Sequence, residues 1–290
     1  MGFVVNSLPE YIKENGRELL VKSIFTAPTA NLINVQTGIK HKAALNILSV
    51  DPVLKERACG WDPSGNTTFT QREIVVGRYE MEEELCVNEV AEKYLNEQTI
   101  TAATGAELPF EEEIVAETLA DIQRKVEDKI WNASTGAGDL FDGLVTILDA
   151  EGTKVTSSAA TIYDKVVDVY KAIPVSQIDK AEIFMGVDDF KLFCLELVAK
   201  NLYHYSHDLN PADLSYELPG TNTIIHGVSG LNGTHRIVAG NPKYLFWGTD
   251  LRDDSEQFKV LYDEKADSYD IIVRFNLGAQ VAFPKLVVIA

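Results

Sequence analysis

The sequence predicts an α+β fold. Three observations carry that prediction. Phe110, Ile114, Ile122, Val126 and Ile130 lie four or eight apart, the spacing of one long amphipathic helix. β-branched, turn-broken runs lie to either side of it, at residues 49–85 and 258–290. Between helix and final strands, residues 160–250 mix helix and strand without a strict βαβ cycle.

Residues 1–48 read as an arm. Leu8, Ile12, Leu19, Leu20 and Ile24 fall near helical spacing, and Gly16 interrupts them. The small and polar stretch Thr26-Ala-Pro-Thr-Ala-Asn follows, an extended segment that needs something to lie on. Residues 49–85 read as a long hairpin. Val53–Cys59 is the outgoing strand, Gly60–Asn66 is dense in turn residues, and Thr67–Val76 is the return. Much of this hairpin is polar on both faces, so it suits a surface element better than a core. A thin hairpin is marginal alone and gains from reaching across a neighbour.

The helix over 110–131 starts at Pro109 and the acidic run Glu111-Glu-Glu, which favours a helix N-terminus. Val115 and Leu119 widen its apolar stripe and Thr118 is its polar member. Glu113, Glu117, Asp121, Arg124, Lys125 and Asp128 form the charged face. At 1.5 Å per residue the helix is a rod of about 33 Å. Asn132-Ala-Ser-Thr-Gly-Ala-Gly ends it. A helix over Thr161–Ile173, stopped by Pro174, is followed by the buried strand Ala181–Met185. Asp188 is placed to cap a helix running to about Asn201. Short strands are expected around Thr223–His226 and His235–Ala239, and Tyr244–Gly248 reads as another buried segment. Phe258–Tyr262, an acidic turn and the long apolar run from Tyr269 to Ala290 read as strand, turn and strand. That closing run requires shelter, because an uncovered apolar edge invites pairing with other chains.

Composition narrows the function. The chain has 290 residues and a net charge of −18, from 26 basic and 44 acidic side chains. Neutralising phosphates requires a basic patch, so this balance argues against a nucleic-acid-binding surface. Cys59, Cys86 and Cys194 are odd in number and widely spaced, which argues against a disulfide framework and a cysteine zinc site. No secretory signal is read at Met1–Glu10, and no run of about 18 apolar residues marks a membrane helix. The sequons at Asn66, Asn132 and Asn232 read as chance matches.

No catalytic motif stands out. Gly136-Ala-Gly138 follows a helix and lacks the Lys-Ser/Thr pair of a phosphate loop, so it reads as a helix-ending loop. His204, His207 and Asp208 lie at a helix end and read as an aromatic, polar loop rather than a metal site. Asp188-Asp189 and Asp253-Asp254 read as a cap and a solvated turn. No nucleophile elbow or protease cysteine is present. The expected catalytic, metal and cofactor residues are therefore none. Trp61, at the tip of the hairpin, is either an anchor in a neighbouring subunit or locally packed.

The order of these parts resembles the major capsid protein of tailed bacteriophages, with the Hong Kong 97-like (Johnson) fold. The resemblance rests on the arm segment Leu32-Ile-Asn-Val-Gln-Thr-Gly-Ile-Lys, the long hairpin, the long helix closing in Ile130-Trp-Asn-Ala-Ser-Thr-Gly-Ala-Gly-Asp-Leu-Phe-Asp-Gly-Leu, the strand–helix pair Ala181-Glu-Ile-Phe-Met-Gly-Val-Asp-Asp-Phe, and the closing strands. The family's "Leu-x-Gly-x-x-Val" segment departs here as Leu218-Pro-Gly-Thr-Asn-Thr-Ile-Ile.

The resemblance implies an N-terminal arm at 1–48, an E-loop hairpin at 49–85 and a spine helix at 110–131. The peripheral domain would take residues 86–142 and 251–278, and the axial domain 143–250 and 279–290. It implies a structural, non-enzymatic shell protein that assembles with itself into pentamers and hexamers around double-stranded DNA, without reading its sequence. The expected location is the virion capsid, assembled in the host bacterial cytoplasm, with no membrane association. Portal, scaffolding and head-completion proteins are the further partners implied. Lys55, Trp61, Asp62, Pro63 and Phe69 are the candidate intersubunit contacts. Some relatives crosslink through an E-loop lysine, and Lys55 is the sole lysine in 49–85, but no partner residue is identified. An encapsulin-like nanocompartment shell is the alternative, and a soluble enzyme the rival from another class.

Overall fold

The computed structural model describes residues 27–53, 65–86, 110–202, 214–250, 258–263 and 268–290. Period-two burial organises its first layer. In Ser268–Val281 (β12), Tyr269, Ile271, Val273, Phe275, Leu277, Ala279 and Val281 are all buried, as alternation on a pleated strand requires. One edge of β12 pairs antiparallel with Leu245–Thr249 (β10) and then Phe258–Asp263 (β11). The other edge takes Gly77–Cys86 (β4). Asn34–Thr37 (β1) joins β10 in parallel, completing a five-stranded sheet. Leu245–Thr249, expected to belong with residues 143–250, thus lies in the sheet of the closing strands, where its Trp247 is buried.

A second sheet has six strands, in the order Thr153–Lys154 (β5), Val288–Ile289 (β13), Val238–Gly240 (β9), Glu182–Gly186 (β6), Ile224–Val228 (β8) and Ser215–Glu217 (β7). Its central strands β13, β9 and β6 are buried on both faces. Along β6, Ile183 and Met185 face one apolar cluster while Phe184 faces another. Helices Ile162–Ala172 and Val187–Ala199 cover the first face through Val166, Val169, Phe190, Phe193 and Leu197. The closing residues are covered by the chain's own strands: β13 sits between β5 and β9, with Val288 and Ile289 buried. Asp188 does not cap its helix. The N-cap is Gly186, and the Asp188 carboxylate instead accepts the Asp189 and Gly233 N–H groups at 2.9 and 2.8 Å.

The long helix spans Phe110–Asn132, and Leu119, Ile122, Val126 and Ile130 enter the core as their spacing predicts. An unexpected member accompanies them: Glu127 is fully buried. Its carboxylate accepts the Thr29 N–H at 2.7 Å and the Thr29 hydroxyl at 2.8 Å, and the Trp131 indole N–H donates to that hydroxyl at 2.9 Å. Gly230, in the 3-10 turn Ser229–Leu231 that follows β8, closes the group. A Cβ there would stand 2.5 Å from both the Glu127 carbonyl oxygen and Trp131, so only glycine permits this approach. Asn132 donates to the Gly230 carbonyl at 2.6 Å. The arm is therefore not simply extended here. It forms a helical turn, Pro28–Leu32, seated on the long helix, then β1.

The hairpin also starts earlier than expected. Its strands are Lys42–Pro52 (β2) and Gly65–Val75 (β3), paired from Lys42↔Val75 to Pro52↔Gly65. Lys42–Leu48, read as arm, thus belongs to the hairpin, whose described outgoing strand ends at Pro52; of the expected outgoing strand Val53–Cys59, residues 54–59 lie outside the described residues. The stretch 77–85, read as hairpin, belongs to the five-stranded sheet.

Replacing Glu127 by Ala would strand two buried donors on Thr29. Unfolding free energy should fall by about 3 kcal/mol in chemical denaturation, and Glu127→Gln, which keeps the volume and one acceptor, should cost less. Burial, opposed by the Thr29 and Gly230 hydrogen bonds, raises the Glu127 carboxyl above the ordinary carboxylate range. Its protonated form is thus favoured by folding. Its stabilising contribution is full below the unfolded pKa and is lost as pH rises through the folded value. The wild type should gain stability relative to Glu127→Gln as the pH is lowered from neutral through that window.

Candidate functional site

The hairpin of β2 and β3 is anchored at one end and bare at the other. At its root, Ile39, Leu45, Ile74 and Val76 form a small buried cluster with Ala43 and Phe246 against it. Arg72 fixes the root to two other elements. It donates to Gln280 on β12 at 3.1 and 3.3 Å and to Glu151, in the helix Leu144–Glu151, at 2.8 Å. Gln280 donates in turn to the Glu73 carbonyl at 2.7 Å. The backbones come so close that a Cβ on Gly278 would stand 2.3 Å from the Val75 carbonyl oxygen.

Away from that root the described part of β3 is exposed on both faces, from Gly65 to Gln71. Phe69 is 79% exposed, and directly across the ladder from it Leu48 is 53% exposed. A cross-strand Leu–Phe pair held open to solvent is an apolar contact waiting for a surface. Ten residue steps of β2 carry the hairpin about 33 Å along its length.

Of the candidate contacts, Phe69 lies on this exposed stretch. Lys55, Trp61, Asp62 and Pro63 lie outside the described residues, as do His204, His207 and Asp208. Leu48 was not anticipated, because Ile47 beside it breaks the alternation that would have flagged an outward face. A second apolar surface was also missed. On the helix Val187–Ala199, Leu192, Leu195 and Val198 are exposed three residues apart, opposite the buried Phe190, Phe193 and Leu197. A helix apolar all round was the available signal. Among the described residues, Asp188, Asp189 and His235 bring metal-capable donors together.

Solved structures share this arrangement. The chain is similar to one from Microbacterium phage Oxtober96, at TM-score 0.58 and 13% identity, covering 88% of this chain and 85% of that one. It is similar to a chain of the satellite phage P4 procapsid that includes the size determination (Sid) protein, at TM-score 0.55 and 11% identity, covering 94% and 96%. A virus-like particle from Pyrococcus furiosus matches at TM-score 0.53 and 8% identity, covering 95% and 97%. No protein-family model and no curated protein matches the sequence. The chain has the Hong Kong 97-like fold of phage major capsid proteins, as its order of elements led us to expect.

Gly278→Ala tests the root of the hairpin. Because a backbone oxygen is the obstacle, the strands must separate, and stability should fall by about 1–3 kcal/mol in a denaturant titration.

Proposed function

We propose that this chain is the major capsid protein of a tailed bacteriophage, a structural subunit that assembles with copies of itself into pentamers and hexamers of an icosahedral shell around double-stranded DNA. The observation that carries this reading is the anchored hairpin whose outer length exposes Leu48 and Phe69, on a fold shared with phage procapsid chains. A monomer gains nothing from such an element, whereas a shell uses it to bind each subunit to the next. In this reading the five-stranded sheet and the helix Phe110–Asn132 form the peripheral domain, and the six-stranded sheet with its two covering helices forms the axial domain. The net charge of −18 fits a wall that must not trap the DNA it encloses. The role is structural, assembly takes place in the host cytoplasm, and portal, scaffolding and head-completion proteins are the expected partners.

A second reading is a nanocompartment shell that encloses a cargo enzyme. The Pyrococcus furiosus virus-like particle favours it, because the match spans nearly the whole of both chains. Mass analysis of the contents of purified particles separates the two, and an enzyme retained in fixed proportion would overturn the phage reading.

The assembly role is tested by Leu48→Asp with Phe69→Asp and, separately, by deletion of residues 58–68. Both positions of the double variant are exposed, so its unfolding free energy should stay within about 0.5 kcal/mol of wild type. Electron microscopy should then show particles for the wild type and none for either variant. Normal particles from both variants would refute the hairpin's role, and unfolding of the deletion variant would refute its standing as an arm outside the core.

A further inference from the structure

The loop Ser229–Arg236 folds over the first turn of the helix Val187–Ala199. Asn232 accepts the Val187 N–H at 2.7 Å, and Asp188 accepts the Gly233 N–H at 2.8 Å. His235 Nδ1 lies 3.0 Å from Asp189 Oδ1. One donor atom from each of Asp188, Asp189 and His235 lies within 4.8 Å of the others.

Such clusters are common on acidic proteins, and this one is set apart by Asp189. Its side chain is 1% exposed, yet Oδ2 has no hydrogen-bond partner among the described residues. A buried carboxylate oxygen left unpaired is costly, and native structures rarely leave one without a protein group, a water or an ion. The histidine opposite has a left-handed backbone, with φ of 53°, which is uncommon outside glycine and turns its ring toward the two carboxylates. That ring is 64% exposed, so the cluster has an entry path from solvent.

We propose that Asp188, Asp189 and His235 form a binding site for a borderline divalent cation of the zinc class. An imidazole with two carboxylates is a three-ligand set that leaves a fourth position for water. Magnesium and calcium favour all-oxygen shells, so the imidazole selects against them. Ligands in a tetrahedron at about 2.0 Å from the metal stand about 3.3 Å from each other, so small side-chain movements close the site. On binding, His235 Nδ1 loses its proton and turns from Asp189 to the metal, and Asp189 Oδ2 gains the partner it lacks. The cation then ties the loop Ser229–Arg236 to the helix. This site is independent of the shell reading and stands or falls separately from it.

The test uses the untagged full-length chain, equilibrated with zinc at about pH 7.5 and then freed of excess metal. Bound zinc is counted by elemental analysis, and thermal unfolding is followed with and without zinc. The wild type should hold one zinc per chain and unfold at a higher temperature when zinc is present. His235→Ala and Asp188→Asn should each weaken binding about tenfold or more and lose the thermal shift. An excess of magnesium or calcium should not displace the zinc. Wild type without zinc above background would overturn the site and leave a water as the partner of Asp189. Equal stoichiometry and affinity in both variants would also overturn it, by placing the zinc on other side chains.

Discussion

The buried carboxylate of Glu127 is the constraint around which the described chain is arranged. A carboxyl group inside a core is tolerated only when its oxygens are paired, and here Thr29, 98 positions away, donates to both of them, with the Gly230 backbone as a further partner. Trp131, one turn along the same helix, completes the ring by donating to the Thr29 hydroxyl. Gly230, in the turn that follows β8 of the second sheet, closes over both. Three distant segments thus share one small polar group, and none can shift alone without leaving a buried donor or acceptor unmet. The cost of burying Glu127 is offset by specificity of place: the arm has one seat on the long helix, and the helix one position against the six-stranded sheet.

That fixed frame explains why the hairpin can be bare. β1 follows directly from the seated arm and joins β10, and the chain then enters β2. The root is held by the Ile39, Leu45, Ile74 and Val76 cluster and by Arg72 reaching both β12 and Glu151. Rigidity at the root makes the outer length a lever with a defined direction. Its exposed Leu48–Phe69 pair is therefore presented at a set position rather than trailing freely, which is what a repeating contact between identical subunits requires.

The long helix was legible because its stripe repeats over many turns, so a single polar member did not hide it. The six-stranded sheet was legible where strands are buried on both faces, as at Ile183–Met185. The start of the hairpin was not. Lys42–Leu48 alternates only weakly, and its pairing with β3 is set by a partner more than twenty residues away. Glu127 was missed for the same reason: local pattern places an acid on the solvated side, and only the long-range Thr29 contact explains its burial. Asp188 looked like a cap because Asp caps helices often. The loop carrying Gly233 and His235 redirects that carboxylate, and sequence spacing holds no sign of it.

Self-assembly is tested most directly by the size of the purified chain in solution. Sedimentation velocity over a range of concentrations should show one fast boundary of uniform particles, with closed shells of regular diameter in the electron microscope. A compact monomer that persists at the highest concentration, with no rings or shells, would contradict it.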